Sequence, residues 1–199
     1  MLAVIADLTR YLYMPSKGIT MSITGATTSG DVISTADGQR YLQDAEAKIA
    51  RVMGDVPLLY TRLSAALAAA GTSISVDTID TDDWYSTGYL WLNGVNVAYT
   101  GATATSFTGL TSDEAIPAAP IGTFVIQSES IQYPIGQNEY KGYESEMYHR
   151  LDLICKEAGY NIWVTRFPAD AMPKMIDDWK KTVDRELARK ASGQIWVRP

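Results

Sequence analysis

The sequence contains very little cysteine and histidine. Its 199 residues include one cysteine, Cys155, and one histidine, His149. A single cysteine cannot form a disulfide within the chain or a thiolate metal cluster. A catalytic dyad of these two residues is also excluded on a helix, because a spacing of six places them about 240° apart around its axis. We expect His149 on a helix surface or at an interface, and Cys155 as a small buried apolar residue.

Long apolar runs are absent as well. No stretch approaches the roughly 18 consecutive apolar residues that span a bilayer. The N-terminal segment reaches Asp7 and Arg10 too early for a secretory signal. We therefore expect a soluble, intracellular protein with no membrane partner.

Basic residues are absent from the middle of the chain. Residues 1–71 carry six acids and six bases, residues 72–135 carry seven acids and no Lys or Arg, and residues 136–199 carry ten acids and eleven bases. The net charge is −6. The middle third therefore differs in charge from the rest of the chain. It has no basic side chain that could pair with a phosphate backbone.

Motifs that bind cofactors or carry out catalysis are absent too. There is no Walker-type lysine loop, no dinucleotide glycine signature and no Cys/His metal spacing. The acidic run at Asp77, Asp80, Asp82 and Asp83 lacks the spacing and the distal Glu of a calcium loop, so a solvated acidic loop is favoured. We predict no cofactor, no bound metal and no enzymatic activity.

The N-terminal third has the apolar spacing of helices. Steps of three and four predict a helix from Ser34 to Gly54, a second helix over 57–71 and a shorter one over 2–13. Near the C-terminus, a helix is predicted from Gly136 to Gly159, followed by a strand-like NIWVTRF. A last helix, capped by Asp170 and ending at Gly193, has apolar residues at Met172, Ile176, Trp179, Val183 and Leu187.

The acidic middle third has the period of two that is typical of strands. In YLWLNGVNVAY, Asn93-Gly94 supplies the two positive-φ positions of a type I′ turn. Pairing Leu92 with Val95 and Leu90 with Val97 places four aliphatic side chains on one face. The opposite face then carries Tyr89 and Trp91, which have the chemistry to stack on a sugar or a base or to pack in a core or interface.

These segments predict an α+β protein, with an antiparallel bundle of about four helices and an inserted small antiparallel β module. The predicted parts are a helical part over 1–71, the β module over 72–135, a second helical part over 136–193 and an extended C-terminal tail over 194–199. The tail is apolar at Ile195, Trp196 and Val197 although it lies beyond the last predicted helix. Such a tail is either unstructured or binds a partner surface, by strand addition or by insertion into a pocket, and we favour the second.

This organisation resembles the head-to-tail adaptor proteins of tailed bacteriophages, also called head-tail connectors or neck proteins. The resemblance lies in the charge-balanced pair STADGQRYLQDAEAKIARVMG and PLLYTRLSAALAAAG, the inserted β module, the two later helices and the apolar tail. The stretch STGYLWLNGVNVAYTGATATSFTGL is also similar to the Gly-, Thr- and Tyr-punctuated hairpins of phage structural proteins.

The resemblance implies a virion protein that forms a ring, most often of about twelve copies, beneath the portal in the neck of the particle. In such adaptors the helical bundle forms the ring and the C-terminal segment reaches into the portal. We hypothesise portal contact through Trp179, Ile195, Trp196, Val197 and Arg198, with the β module meeting a tail or nozzle protein. The DNA would pass through the channel without sequence-specific binding.

Two alternatives remain open at this point. One is another phage structural protein, such as a tail terminator or a head-completion protein. The other is an enzyme or carbohydrate-binding module that uses an exposed Tyr89–Trp91 surface and the acidic cluster from Asp80 to Asp83.

Overall fold

The computed structural model describes residues 2–14, 19–20, 22–24, 32–54, 59–128, 137–167 and 172–192. It confirms the α+β class: the described residues form four helices together with antiparallel sheets. The chain divides into two compact units. The helical unit comprises residues 1–55 and 147–199, and the β unit comprises residues 56–146. The inserted unit therefore begins earlier and ends later than the predicted 72–135.

The described ranges contain four helices. They are α1 (Ile5–Leu12), α2 (Thr35–Met53), α3 (Gln137–Arg166) and α4 (Lys174–Ala191). Helix α3 contributes its first ten residues to the β unit and the remainder to the helical unit. Four short strands accompany α1 and α2: β1 (Tyr13–Met14) pairs antiparallel with β2 (Ile19–Thr20), and β3 (Ser22–Thr24) pairs parallel with β4 (Val32–Ser34).

Helix α2 has the ends that its sequence predicts. The Ser34 hydroxyl accepts a hydrogen bond from the backbone N–H of Asp37 at 3.0 Å, as an N-cap does. Gly54 follows the last residue with φ 77°, and its N–H donates to the carbonyl of Ala50. The positive φ explains why glycine occupies this position.

Helices α2 and α3 run in opposite directions. Three polar contacts at successive levels show this, because residue numbers rise along one helix as they fall along the other. The contacts join Arg150 to the carbonyls of Met53 and Gly54, Lys48 to Glu157 at 2.6 Å, and Arg166 to Asp37 at 3.3 Å.

Helix α3 continues seven residues beyond Gly159, so the predicted helix end and the strand-like NIWVTRF are wrong. Gly159 does not terminate the helix. It lies against Trp179 of α4, and a Cβ atom at residue 159 would be 2.8 Å from the indole. Ile162 and Trp163, which belong to the predicted strand, lie in this helix and are buried. The glycine thus permits a close helix approach.

Helix α4 buries the face that its spacing predicts: Ile176, Trp179, Val183 and Leu187. On its exposed side, Lys181 forms an ion pair with Asp177, four residues earlier in the helix. Glu186 is buried and lies 3.4 Å from Arg189. The N-cap position is Pro173, which makes no side-chain cap bond. Asp170, the predicted cap, lies outside the described residues.

The β unit contains seven strands in its described part. They are β5 (Tyr60–Arg62), β6 (Ser73–Ser75), β7 (Gly88–Leu92), β8 (Val95–Tyr99), β9 (Gly101–Thr103), β10 (Ser106–Thr108) and β11 (Phe124–Ser128). They form two antiparallel sheets in the orders β5-β11-β7-β8 and β6-β10-β9. Both sheets contribute to one hydrophobic core, which includes Leu90, Val97 and Val125 from the first and Ile74 and Phe107 from the second.

The predicted second helix over 57–71 is wrong. Its residues Tyr60–Arg62 form β5, which pairs with β11. Leu63 then forms a bridge with Val76, and Leu67 forms one with Ala119. Both leucines belong to the core of the β unit. Apolar residues four apart fit a helix, but they fit equally well a segment that enters a β core at separate points.

The β7–β8 hairpin is confirmed. Leu92 pairs with Val95 and Leu90 with Val97. Asn93 and Gly94 have φ values of 47° and 89°, the positive values that a type I′ turn requires.

Candidate functional site

The hairpin places two aromatic residues on the face of the sheet opposite the core. On that face Trp91 pairs with Asn96 and with Ile126, and Tyr89 pairs with Ala98 and with Ser128. This is the face on which the sequence predicts an aromatic surface. The structure therefore tests whether the two rings are open to a ligand.

Trp91 is not open to a ligand. Its side chain is 1% exposed, and its indole N–H donates a hydrogen bond of 3.0 Å to Oε2 of Glu144, in α3. Tyr89 is half-buried. The predicted surface is wrong for Trp91, because a buried ring cannot stack on a sugar or a base. Glu144 lies 53 residues further along the chain, and no local pattern indicates this contact.

The acidic loop is open to solvent. Asp77, Asp80, Asp82 and Asp83 are exposed, and the N–H of Asp82 donates to Oδ1 of Asp80 at 3.1 Å. The following residue, Trp84, is buried, with its ring centroid 5.0 Å from that of Phe107. Within the described ranges, no group of three or more His, Cys, Asp or Glu side chains is arranged to hold a metal ion.

Next to this loop, Tyr85 is 71% exposed, and its carbonyl accepts a hydrogen bond of 2.8 Å from the hydroxyl of Tyr99. Burial raises the pKa of the Tyr99 hydroxyl. The hydroxyl of Tyr99 therefore stays protonated as a donor at neutral pH. This bond fixes the residue that follows the loop, and the carboxylates of the loop are exposed.

The surface charge of residues 59–128 has one sign. Six carboxylates in this range are exposed: Asp77, Asp80, Asp82, Asp83, Asp113 and Glu114. The range contains a single basic residue, Arg62, and that residue is buried. Its Nε donates to the carbonyl of Gly122 at 3.0 Å, and its guanidinium lies 5.2 Å from the ring centroid of Phe124. The exposed charges of this part of the β unit are consequently all negative.

Trp179, predicted to contact a portal, is a core residue of the helical unit. It is 6% exposed, it lies against Gly159, and its ring meets the ring of Tyr11 edge to face at a centroid distance of 5.7 Å. This burial contradicts the predicted docking role, because the side chain presents no surface to a partner. The other predicted docking residues, Ile195, Trp196, Val197 and Arg198, lie outside the described residues.

The two residues considered for nucleophilic catalysis lie on the same helix. Cys155 is buried and His149 is half-buried on α3. On the same helix, Oδ1 of Asp152 accepts a hydrogen bond of 2.6 Å from the phenol of Tyr11. Burial, and then this hydrogen bond, raise the pKa of Tyr11, so the phenol keeps its proton and acts as the donor at neutral pH.

In the part of the chain that the structure describes, no helix is long and apolar enough to cross a membrane. Comparison with known proteins gives no relatives: no known protein family, no curated protein and no solved structure matches the chain.

Proposed function

We propose that the protein is a non-enzymatic virion assembly protein of a tailed bacteriophage that forms a ring between the portal and the tail. The observation that carries the proposal is the single-sign surface of residues 59–128, where every exposed charge is a carboxylate. Negative charge repels the phosphate backbone of DNA. A protein that lines the DNA exit channel benefits from this repulsion, because the duplex must slide past without binding to a specific sequence.

The organisation of the chain supports the same proposal. The helical unit is formed by both ends of the chain, and the β unit is inserted between them, which is the arrangement in which the sequence resembles head-to-tail adaptors. In the proposed ring of about twelve copies, the helices form an antiparallel bundle that makes the ring contacts. The opposite directions of α2 and α3 are compatible with this bundle. The β unit meets a tail or nozzle protein in the neck of the virion, after synthesis in the host cytoplasm.

The portal contact is proposed for residues 194–199. This segment follows α4, which ends at Ala191, and it carries Ile195, Trp196 and Val197 in succession, followed by Arg198. Inserting an aromatic and two aliphatic side chains into a partner pocket contributes about 25 cal/mol for each Å² of apolar surface removed from water. Trp179 is not part of this contact, because it is buried in the helical unit.

A tail terminator or head-completion protein would also form a small ring. Its docking partner and its symmetry distinguish it from an adaptor. The carbohydrate-binding alternative depended on an open surface at Tyr89 and Trp91. Since Trp91 is buried, no described feature favours that alternative.

The test is negative-stain imaging of this protein mixed with the portal protein encoded in the same genome. We expect portal rings that are longer by one tier and keep the symmetry of the portal. A wild-type protein that stays monomeric and adds no tier would contradict the adaptor proposal and favour a role on the tail side.

A variant that ends at residue 193 tests the docking tail separately. It should keep the helix content of the full chain by circular dichroism and add no tier to the portal. A truncated variant that still adds the tier removes the docking role of residues 194–199 and leaves the ring proposal standing.

A further inference from the structure

We infer that Arg150 is a clasp that holds α2 and α3 together at the root of the inserted β unit. The root is the place where the chain leaves the helical unit after residue 55 and returns to it at residue 147. This inference does not depend on the proposed function, since it concerns only contacts within the helical unit.

The clasp consists of two hydrogen bonds from one guanidinium. Nη1 of Arg150 donates to the carbonyl of Gly54 at 2.6 Å, and Nη2 donates to the carbonyl of Met53 at 3.1 Å. The acceptors are 96 and 97 residues away in sequence. Arg150 is 6% exposed, so the contact is made inside the unit.

The two acceptors are groups that need a partner. Met53 is the last residue of α2 and Gly54 is its C-cap. The last carbonyls of a helix have no donor within the helix, and they carry the negative end of the helix dipole. A guanidinium is always charged and holds several donors in a fixed fork, so it can satisfy two neighbouring carbonyls at once. Lysine, a single ammonium on a flexible stem, lacks this fork.

Among the three polar contacts between α2 and α3 described above, that of Arg150 lies nearest to the root. Lys48 with Glu157 and Asp37 with Arg166, two other polar contacts between described residues of α2 and α3, lie progressively further from the root. Bringing together two chain segments that are separated by about one hundred residues costs conformational entropy. The two hydrogen bonds of Arg150 hold these two segments together. Local opening of the β unit therefore does not separate the end of α2 from α3.

The experiment is native-state hydrogen exchange on the full chain, comparing wild type, Arg150→Met and Arg166→Met. Methionine keeps an unbranched side chain and removes the donors. In Arg150→Met we expect exchange at least tenfold faster in residues 50–54 and 147–151, with wild-type rates in β7 and β11. Arg166→Met removes the same group at the far end of the two helices, and it should leave residues 50–54 at wild-type rates.

A second variant, Arg150→Lys, covers the case in which Arg150→Met does not fold. It retains the charge without the fork, and the expected acceleration in residues 50–54 is smaller than in Arg150→Met. Wild-type exchange at residues 50–54 in the Arg150 variants overturns the inference, as does acceleration spread evenly over both units. Failure of both Arg150 variants to fold, with Arg166→Met folded, also overturns it, because Arg150 then acts on the whole fold.

Discussion

Gly159 of α3 lies directly against the indole of Trp179 of α4. A Cβ atom at residue 159 would be 2.8 Å from Cζ3 of that ring, closer than carbon atoms approach without a shift of one of them. The two helices therefore depend on the missing side chain for their separation. The same contact explains why glycine occurs within a long helix and why a tryptophan near the C-terminus is buried.

Gly159→Ala should destabilise the protein. Alanine has a helix propensity better than glycine by about 1 kcal/mol, but the added methyl group forces Trp179 to move, and overpacking of a core costs about 1–3 kcal/mol. We expect a net loss of stability, measured as a lower midpoint of urea unfolding.

Gly142→Ala is the matched control, because Gly142 lies in the same helix and a Cβ atom there meets nothing within 4 Å. This variant should be more stable than wild type by up to about 1 kcal/mol. Effects of the same sign in both variants would contradict the packing role of Gly159.

Trp91→Phe should cost about 1–3 kcal/mol of stability, because it leaves the Glu144 carboxylate without the indole donor. The free energy of unfolding from chemical denaturation measures this loss. Tyr85→Phe is the control in the same β unit. Tyr85 is 71% exposed, and a substitution on the surface usually changes the free energy of unfolding by no more than about 0.5 kcal/mol. A Trp91→Phe variant as stable as Tyr85→Phe would show that the hydrogen bond to Glu144 contributes nothing.

Stability should fall at alkaline pH partly because of Tyr11, whose pKa is raised first by burial and then by its hydrogen bond to Asp152. Below the unfolded tyrosine pKa of about 10, both states hold the phenol proton and the contribution of Tyr11 is fully present. Above that pH the unfolded state loses the proton while the folded state keeps it, so stability falls by up to about 1.4 kcal/mol per pH unit.

Tyr11→Phe should consequently show a shallower loss of stability than wild type between about pH 10 and 11.5. Urea unfolding at several pH values measures the slope. The raised pKa values of Tyr99 and Lys180 are present in both proteins, so the difference in slope isolates Tyr11. Identical slopes would argue against protonation of Tyr11 as a source of stability.

The helical unit should fold without the β unit. Arg150 binds the carbonyl of Gly54, so it joins the two segments of the helical unit beside the points where the β unit is inserted. The helical unit also has buried residues of its own, including Leu8, Leu42 and Val183. Replacing residues 56–146 by a Gly/Ser linker of about six residues, which reaches up to about 20 Å, should leave a cooperatively unfolding helical protein. A chain without a cooperative thermal transition would refute this independence.

Sequence patterns were sufficient where the structure is determined by neighbouring residues. Ser34 and Gly54 predict both ends of α2, and Asn93-Gly94 predicts the hairpin and its register. These features depend on capping and on positive φ values, which a few adjacent residues specify.

The patterns failed where distant contacts decide the structure. The segment over 57–71 has a helical spacing, but pairing with β11 and burial of Leu63 and Leu67 in the β core override it. The surface of the β unit was predictable only in part. Its acids are visible in the sequence, whereas the burial of Arg62 and the contact of Trp91 with Glu144 depend on residues far along the chain.

The helical unit is interrupted in sequence and the β unit is continuous. This division sets the order in which the two units can fold during synthesis. Residues 56–146 are contiguous, so the β unit can fold as soon as it leaves the ribosome. The helical unit must wait, because Lys48 finds its partner 109 residues later. At about 5–20 residues per second, α3 and α4 follow several seconds after α2. During that interval α2 lacks its later neighbours in α3 and α4, so apolar side chains such as Leu42 and Ile49, which are buried in the complete unit, stay without part of their cover.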